Sequence, residues 1–554
     1  MDIKEQANFI WSIADLLRGN FKQSEYGKVI LPFTVLRRFD CVLAPSKEEI
    51  LERNKSLAVS NKAPIFKKYT GHDYYNVSKF DFEKLIDDSN NIDTNLKDYI
   101  NGFSDDVKEI LDNFEIATII EKLKKAGLLY LVVQKFSEIN LGADTIDNLE
   151  MGYMFEELIR KFSEQSNETA GEHFTPREVI ELMVEVLLDT DLDEITTTDG
   201  KVITILDPAC GTGGMLSIAQ NKIRALNSRT TVVPFGQELN PETYATCKSD
   251  MILKNNTNSK IVFGNSFSED GFREQKFDYI LSNPPFGVEW KKVKNFIENE
   301  SKHKGYDGRF GAGTPRISDG SLLFLQHMIS KMQPIEKGGS RIGIVFNGSP
   351  LFSGDAGSGE SEIRKWIIEK DLLEAVIGLP DQLFYNTGIS TYVWILTNRK
   401  TDRRKGKIRL INGTSFFGKM RKSLGNKRNE ITESDRKEIV RLYSTYEHDE
   451  NYIDFDNDDF GYRKITIERP LYDENREVVV EKGNPKPNSK LRDTETVPFK
   501  EDIHEYFKRE VLPHVPDAWI DEKKTKIGYE IPFTRHFYKF TPLRESSVIL
   551  DEIK

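Results

Sequence analysis

The run Val202-Ile203-Thr204-Ile205-Leu206-Asp207-Pro208-Ala209-Cys210-Gly211-Thr212-Gly213-Gly214, followed by apolar-periodic residues from Met215 to Leu226, constrains the fold of this chain most. It reads as strand, glycine-rich turn, helix, the opening of a nucleotide-binding βαβ unit in which glycines let the backbone approach a ligand closely. The loop lacks the Gly-Lys-Ser/Thr of a phosphate-cradling Walker loop, and no GxGxxG is present. Three further apolar segments follow at strand spacing. Thr231 to Gln237 ends in Glu238, Ile261 to Phe263 ends in Gly264-Asn265-Ser266, and Phe277 to Ser282 ends in Asn283-Pro284-Pro285-Phe286. Polar residues thus recur at strand carboxyl ends, where α/β sheets bind ligands, and an acid at the second strand end suits ribose hydroxyls.

The fourth strand end carries the clearest chemistry. Two prolines lock φ and push the preceding residues extended, so the Asn283 amide is held still. Its carbonyl oxygen and that of Pro284 can accept both hydrogens of an exocyclic amine, drawing the nitrogen lone pair out of conjugation toward an electrophilic methyl. Phe286 offers a face for base stacking. An Asn-Pro-Pro turn alone is common in loops. Its position downstream of the glycine turn is what points to methyl transfer onto a planar amino group.

Taken together these residues resemble S-adenosylmethionine-dependent DNA adenine-N6 methyltransferases, and most closely the modification (M) subunit of Type I restriction-modification systems. The resemblance extends to Gly171-Glu172-His173-Phe174-Thr175-Pro176-Arg177, to Asp319-Gly320-Ser321 with Phe324-Leu325-Gln326-His327, and to Arg341 to Val345. It continues through Leu379-Pro380-Asp381-Gln382-Leu383-Phe384 to Trp394 and into the tail Ile527-Gly528-Tyr529-Glu530-Ile531-Pro532-Phe533. It implies that Glu172, His173, Phe174, Thr175, Pro176, Arg177, Asp207, Ala209, Gly211, Thr212, Gly213, Glu238 and Asn265 bind the cofactor. It also implies that Asn283, Pro284, Pro285 and Phe286 are catalytic, with Phe384 a second stacking face for the target base. Many relatives carry Asp where this chain has Asn265, and several carry a smaller residue at Cys210, which reads here as a buried small side chain.

The same resemblance implies a Rossmann-like methyltransferase domain over residues 150–470, preceded by an all-helical domain over 1–149 and followed by a helical and extended assembly tail over 471–554. Partners implied are DNA, a specificity (S) subunit, a second M subunit, so that two M subunits join each S, and a restriction (R) subunit. Direct in-line transfer to an adenine turned out of the duplex is the expected mechanism. A Pro-Cys nucleophile of the kind used for C5-cytosine methylation is absent, since none of the three cysteines follows proline. N4-cytosine methylation, action on a protein amide or ribosomal RNA, and a non-catalytic scaffold are the alternatives.

Composition bears on partners. The chain has 78 Lys and Arg against 89 Asp and Glu, a net charge of -11, which is unusual for a protein that binds DNA unaided. The best local basic surface is the run from Arg399 to Arg428, with twelve Lys or Arg and one acid, Asp402. Cys41, Cys210 and Cys247 lie far apart without Cys/His metal spacing, so no metal is expected and a reducing, cytoplasmic setting is. No stretch approaches ~18 apolar residues, so no membrane partner is expected. The Gly-rich and charged segment Lys302 to Asp319, close behind the catalytic motif, reads either as a mobile active-site loop or as an uninvolved insertion. No DEAD-type helicase or nuclease motif occurs, so the chain is expected to modify DNA and not to cut it.

Overall fold

The computed structural model describes residues 3–538 apart from 58, 166–174, 255–257, 386 and 425. Its N-terminal part is helical because apolar residues recur every three or four positions. In the helix Ile116–Lys125, Ile116, Ile119, Ile120 and Leu123 are buried, while Lys122, Lys124 and Lys125 occupy the last turn, where they complement the helix dipole. The helix Tyr26–Leu43 runs through the middle of this body and is buried over most of its length. Its Arg38 is fully enclosed and donates to the Ile146 carbonyl and the Asn148 side chain, both at 2.8 Å. Those bonds tie the body to the next helix, Asn148–Gln165, whose Met151, Met154, Phe155, Leu158 and Phe162 complete the same core. The helical core therefore runs past residue 149.

A nine-stranded sheet forms the second part. Its strands are β1 (Val202–Asp207), β2 (Thr231–Glu238), β3 (Lys260–Phe263), β4 (Tyr279–Ser282), β5 (Arg341–Asn347), β6 (Leu373–Gly378), β7 (Thr391–Thr397) and β8 (Lys407–Asn412). A separate hairpin, β9 (Gly418–Leu424) and β10 (Lys427–Glu430), precedes the ninth sheet strand, β11 (Tyr452–Asp456). The order is β11-β8-β6-β7-β5-β4-β1-β2-β3, with β7 antiparallel to its neighbours. Strands β5 to β7 are buried on both faces and read as nearly continuous apolar runs. Along β5, Ile342, Ile344 and Phe346 pack under the helices Ser321–Ser330 and Gly359–Glu369, whereas Val345 points to the helix Arg177–Leu188.

The chain builds β1 to β3 outward on one side and resumes with β4 on the other, so the direction of winding reverses between β1 and β4. Ligands bind at such a switch point, beyond the strand carboxyl ends. The helical body abuts this sheet through the helix Pro241–Leu253, where Tyr244 and Lys248 each contact Glu109 at 2.6 Å.

The C-terminal part holds more strand than expected. Gly461–Glu468 pairs antiparallel with both Asp493–Pro498 and Trp519–Tyr529. The Gly528-Tyr529-Glu530 segment is docked on the chain itself. The Tyr529 carbonyl accepts from the buried Arg364 guanidinium at 2.6 Å, its N–H donates to Ser361 Oγ at 3.0 Å, and its hydroxyl donates to Glu369 at 3.1 Å. No helix among the described residues is long and apolar enough to cross a membrane.

Candidate active site

A cavity of about 820 Å3 lies at the carboxyl ends of β1 to β4. Its lining includes Thr175, Asp207, Ala209, Gly211, Thr212, Glu238, Asn265, Asn283, Pro285 and Phe286. Residues predicted from four separate strand ends thus meet around one space. Gly213 and Pro284 sit behind this wall, and Pro176 caps the helix Arg177–Leu188 without lining the cavity. Arg177 turns away from it, donating to the Tyr153 hydroxyl at 2.9 Å and to Glu181 at 3.1 Å. Glu172, His173 and Phe174 lie outside the described residues.

The glycine turn is shaped by what lies beneath it. Gly213 adopts φ +84° as the N-cap of the helix Gly214–Leu226, and a Cβ there would stand 2.7 Å from Cys247 Sγ. A side chain would be both strained and obstructed. Cys210 Sγ lies 3.9 Å from Cys247 Sγ. Contact with Cys247 and burial push the Cys210 thiol well above its usual range, so it stays protonated and serves as packing.

Two acids give the cavity its electrostatic character. Asp207 ends β1 and accepts from the Ala209 N–H at 3.0 Å and the Ser282 hydroxyl at 2.9 Å, joining the two strands that flank the switch point. Burial, with a contribution from the Glu238 charge, pushes its carboxyl up to about 7. Glu238 ends β2 and accepts from the Gly211 N–H at 2.8 Å and the Asn240 N–H at 2.7 Å. Its carboxyl is likewise raised by burial. This set fits S-adenosylmethionine: the carboxylates face a cofactor bearing positive charge on sulfur and nitrogen, and the glycine turn permits close approach of its chain.

Asn265 is held by its own turn. Its Oδ1 accepts from the backbone N–H groups of Phe267 at 2.9 Å and Ser268 at 3.3 Å, closing its own turn. What it offers the cavity is the amide NH2, a donor.

At the opposite wall, Asn283 Nδ2 donates to Thr175 Oγ1 at 2.9 Å. That bond sets the rotation of the amide on the proline-locked backbone, and it links residues 108 positions apart. Phe286 lies edge-on to Phe384, ring centres 6.3 Å apart at 71°. Both rings are buried, with 8% and 1% exposure. The two predicted stacking faces are therefore adjacent, but they touch each other edge to face and leave no slot between them. A base enters between them only if the rings part.

Sequence reasoning missed several supports. Ser282 holds Asp207, Thr175 acts on Asn283 as well as lining the cavity, and the Ser266 hydroxyl donates to the Pro208 carbonyl at 2.5 Å. Arg309 donates to the carbonyls of Ser266 at 2.9 Å and Phe267 at 2.6 Å, and pairs with Glu300. This last group corrects the mobile-loop expectation for Lys302 to Asp319. That segment is pinned by Arg309 and by the fully buried Phe310, which packs with Phe267, Trp290, Ile297 and Leu323. Gly311 serves close packing, since a Cβ there would sit 2.3 Å from the Gly305 backbone, whereas Gly305 itself supplies a φ of +48° in open space.

Comparison with known proteins agrees with this geometry. A family model described as N-6 DNA Methylase matches residues 147–460, and one described as HsdM N-terminal domain matches residues 6–136. The chain is 26% identical over 487 residues to the Type I restriction enzyme MjaIX methylase subunit of Methanocaldococcus jannaschii, spanning 83% of this chain and 80% of that protein. It is 31% identical over 280 residues to the HindI methylase subunit of Haemophilus influenzae, spanning 50% and 55% respectively. The solved methyltransferase subunit of a type I restriction-modification system from Streptococcus thermophilus shares the fold, with TM-score 0.65 and 22% identity over 82% of this chain and 96% of that one. By its cavity, its strand-end motifs and a family match over more than half its length, the chain belongs to the N-6 DNA methylase family.

Proposed function

We propose that this chain is the modification subunit of a Type I restriction-modification system and methylates N6 of adenine in DNA. A separate S subunit reads the target sequence, and a second M subunit and an R subunit join the assembly. The observation that carries this reading is the Asn283 amide, fixed by Thr175 at the end of β4 and lining the same cavity as Asp207, Gly211 and Glu238. S-adenosylmethionine, when bound, supplies an electrophilic methyl on a positively charged sulfur.

The protein's part is positioning and electrostatics. The carbonyls of Asn283 and Pro284 accept the two amine hydrogens, which orients the nitrogen and raises its electron density. The proline corner keeps both acceptors in place without reorganisation. Unstacking the base costs a few kcal/mol, which stacking on Phe286 and Phe384 offsets once these rings separate. The match of residues 6–136 to the HsdM N-terminal domain supports a Type I assembly over methylation of a protein amide or RNA.

The test is transfer of labelled methyl from S-adenosylmethionine to DNA by the purified chain with its S subunit. Asn283→Ala is expected to keep cofactor affinity and lose transfer; wild-type turnover in that variant would remove the assigned role. Single-molecule sequencing of DNA from cells carrying the system then identifies the modified base, and N4-methylcytosine there would replace adenine in this reading.

A further inference from the structure

The basic run from Arg399 to Arg428 divides in two in the structure. Its first part is mostly tied to the chain itself, apart from the exposed Arg403, which lies over the Tyr446 ring. Arg399 grips Asp191 through two bonds of 2.6 Å, Lys400 pairs with Asp371 at 2.6 Å, and Arg409 pairs with Asp454 at 2.7 Å. Lys405 and Lys407 are paired with Asp402 and Asp456, and Arg404 is buried against Tyr443 and Glu374. The second part is the β9–β10 hairpin. There Lys419, Arg421 and Arg428 are exposed and form no ion pair among the described residues. In a chain of net charge -11, three such cations on one short hairpin stand out.

This hairpin also holds the loop whose Phe384, itself outside the cavity lining, packs against Phe286 of the candidate site. Residues 426–429 bond to the backbone of the loop that carries Phe384. Asn429 Nδ2 donates to the Asp381 carbonyl at 2.8 Å, and the Arg428 and Asn429 N–H groups donate to Gln382 at 3.0 and 3.3 Å. Lys427 Nζ donates to the Leu383 carbonyl at 3.0 Å, and the Asn426 N–H donates to Tyr385 at 2.8 Å. Gln382 is held at φ +58°, a left-handed conformation that a glutamine adopts only under such restraint. Lys427, itself buried, also pairs with Glu178 in the helix that starts two residues after Thr175. Hairpin, Phe384 loop and the Thr175 end of the site are one bonded unit.

We propose that the β9–β10 hairpin is the arm with which this chain grips the sugar-phosphate backbone of DNA beside the extruded base. Lys419, Arg421 and Arg428 sit on the phosphates, and their hold is passed through residues 426–429 to the loop that places Phe384. The inference rests on the reading of the chain as a DNA methyltransferase and adds the surface and residues by which DNA is held. A phosphate backbone is the partner that fits: three cations without an ion-pair partner among the described residues, next to a cavity whose substrate base hangs from that backbone. It also gives a cause for parting Phe384 from Phe286 only when DNA is bound.

The test uses the full chain assembled with its S subunit and the variant Lys419→Gln/Arg421→Gln/Arg428→Gln, whose changes are all on the surface. Binding to a short duplex of arbitrary sequence is measured against salt concentration. Each lost phosphate contact flattens the plot of log affinity against log salt by about 0.9, so the variant slope should be shallower by roughly 2 to 3, with S-adenosylmethionine affinity unchanged. In a duplex bearing 2-aminopurine at the target position, the variant should also show a smaller fluorescence rise on binding. An unchanged slope overturns the proposal. So does a variant that no longer assembles with the S subunit, which would make the hairpin a protein-docking surface. If instead the wild-type assembly transfers no methyl to DNA, the functional reading itself fails, separately from the arm.

Discussion

Asp207 is expected to make cofactor binding depend on pH. Its carboxyl is buried beneath the end of β1 and pushed up to about 7. An unfolded aspartate loses its proton near pH ~4, so over the window from about pH 4 to 7 the folded protein holds a proton that the unfolded chain has shed. Across that window stability therefore falls as pH rises, by up to ~1.4 kcal/mol per unit. A bound cation reverses the preference, because it favours the ionised carboxylate. If binding requires that form, raising the pH from about 5.5 to about 7.5 increases the competent fraction roughly 25-fold, about 2 kcal/mol of affinity. Calorimetric titration with S-adenosylmethionine across this range, in two buffers of different ionisation enthalpy, measures both the affinity and the proton released, which should be close to one near pH ~6. Asp207→Asn keeps an acceptor for Ala209 and Ser282 but cannot ionise, so it should flatten the profile. Any slope remaining in it belongs to Glu238, raised for the same reason. Constant affinity with no proton release in the unaltered protein would refute the electrostatic role given to Asp207.

Thr175→Val removes the hydroxyl that accepts from Asn283 Nδ2. Losing one such bond, worth ~1 kcal/mol, should slow methyl transfer roughly five- to tenfold, and an unchanged kcat would show that the amide is oriented without it. Glu374→Ala strands Arg341, which is paired with Glu374 at 2.7 Å in a fully enclosed site shared with Tyr443. Breaking a buried pair this way costs about 3 to 5 kcal/mol, so urea denaturation should show a large fall in midpoint, and a loss below ~1 kcal/mol would mean that water reaches the site.

The parts of the site that are legible in the sequence are those a strand can encode. A residue directly after an apolar run sits at a strand end whatever the rest of the chain does, so Asp207, Glu238, Asn265 and Asn283 can be placed together before any packing is known. Supports that arise between distant segments carry no such periodicity. The Thr175–Asn283 bond spans 108 residues and the Arg399–Asp191 pair 208, and nothing local marks either partner. Glycine is ambiguous for a different reason. In the turn at Gly213 it supplies a left-handed φ, whereas at Gly311 it supplies room against a neighbouring backbone, and only the latter mimics mobility in a bare sequence. Phe286 and Phe384 stand side by side in the structure, but an edge-to-face contact between two rings is a matter of rotamer and neighbour, which no spacing encodes.

Charge shows how far composition can mislead about function. The cations from Arg399 to Arg409 look like a nucleic-acid surface in the sequence, yet Arg399 and Arg409 are held by Asp191 and Asp454, and Lys400 by Asp371. Each such pair cancels locally, so it adds nothing to the field a phosphate feels at distance. What remains in this run, among the described residues, are four exposed cations without an ion pair, Arg403 over the Tyr446 ring and Lys419, Arg421 and Arg428 on the hairpin that grips the Phe384 loop. Such a surface attracts DNA weakly on its own and strongly only where a partner brings the duplex close. On the function proposed above, dependence on a separate reading subunit follows from this charge distribution, and three of the four free cations of the run stand on the hairpin that holds the Phe384 loop.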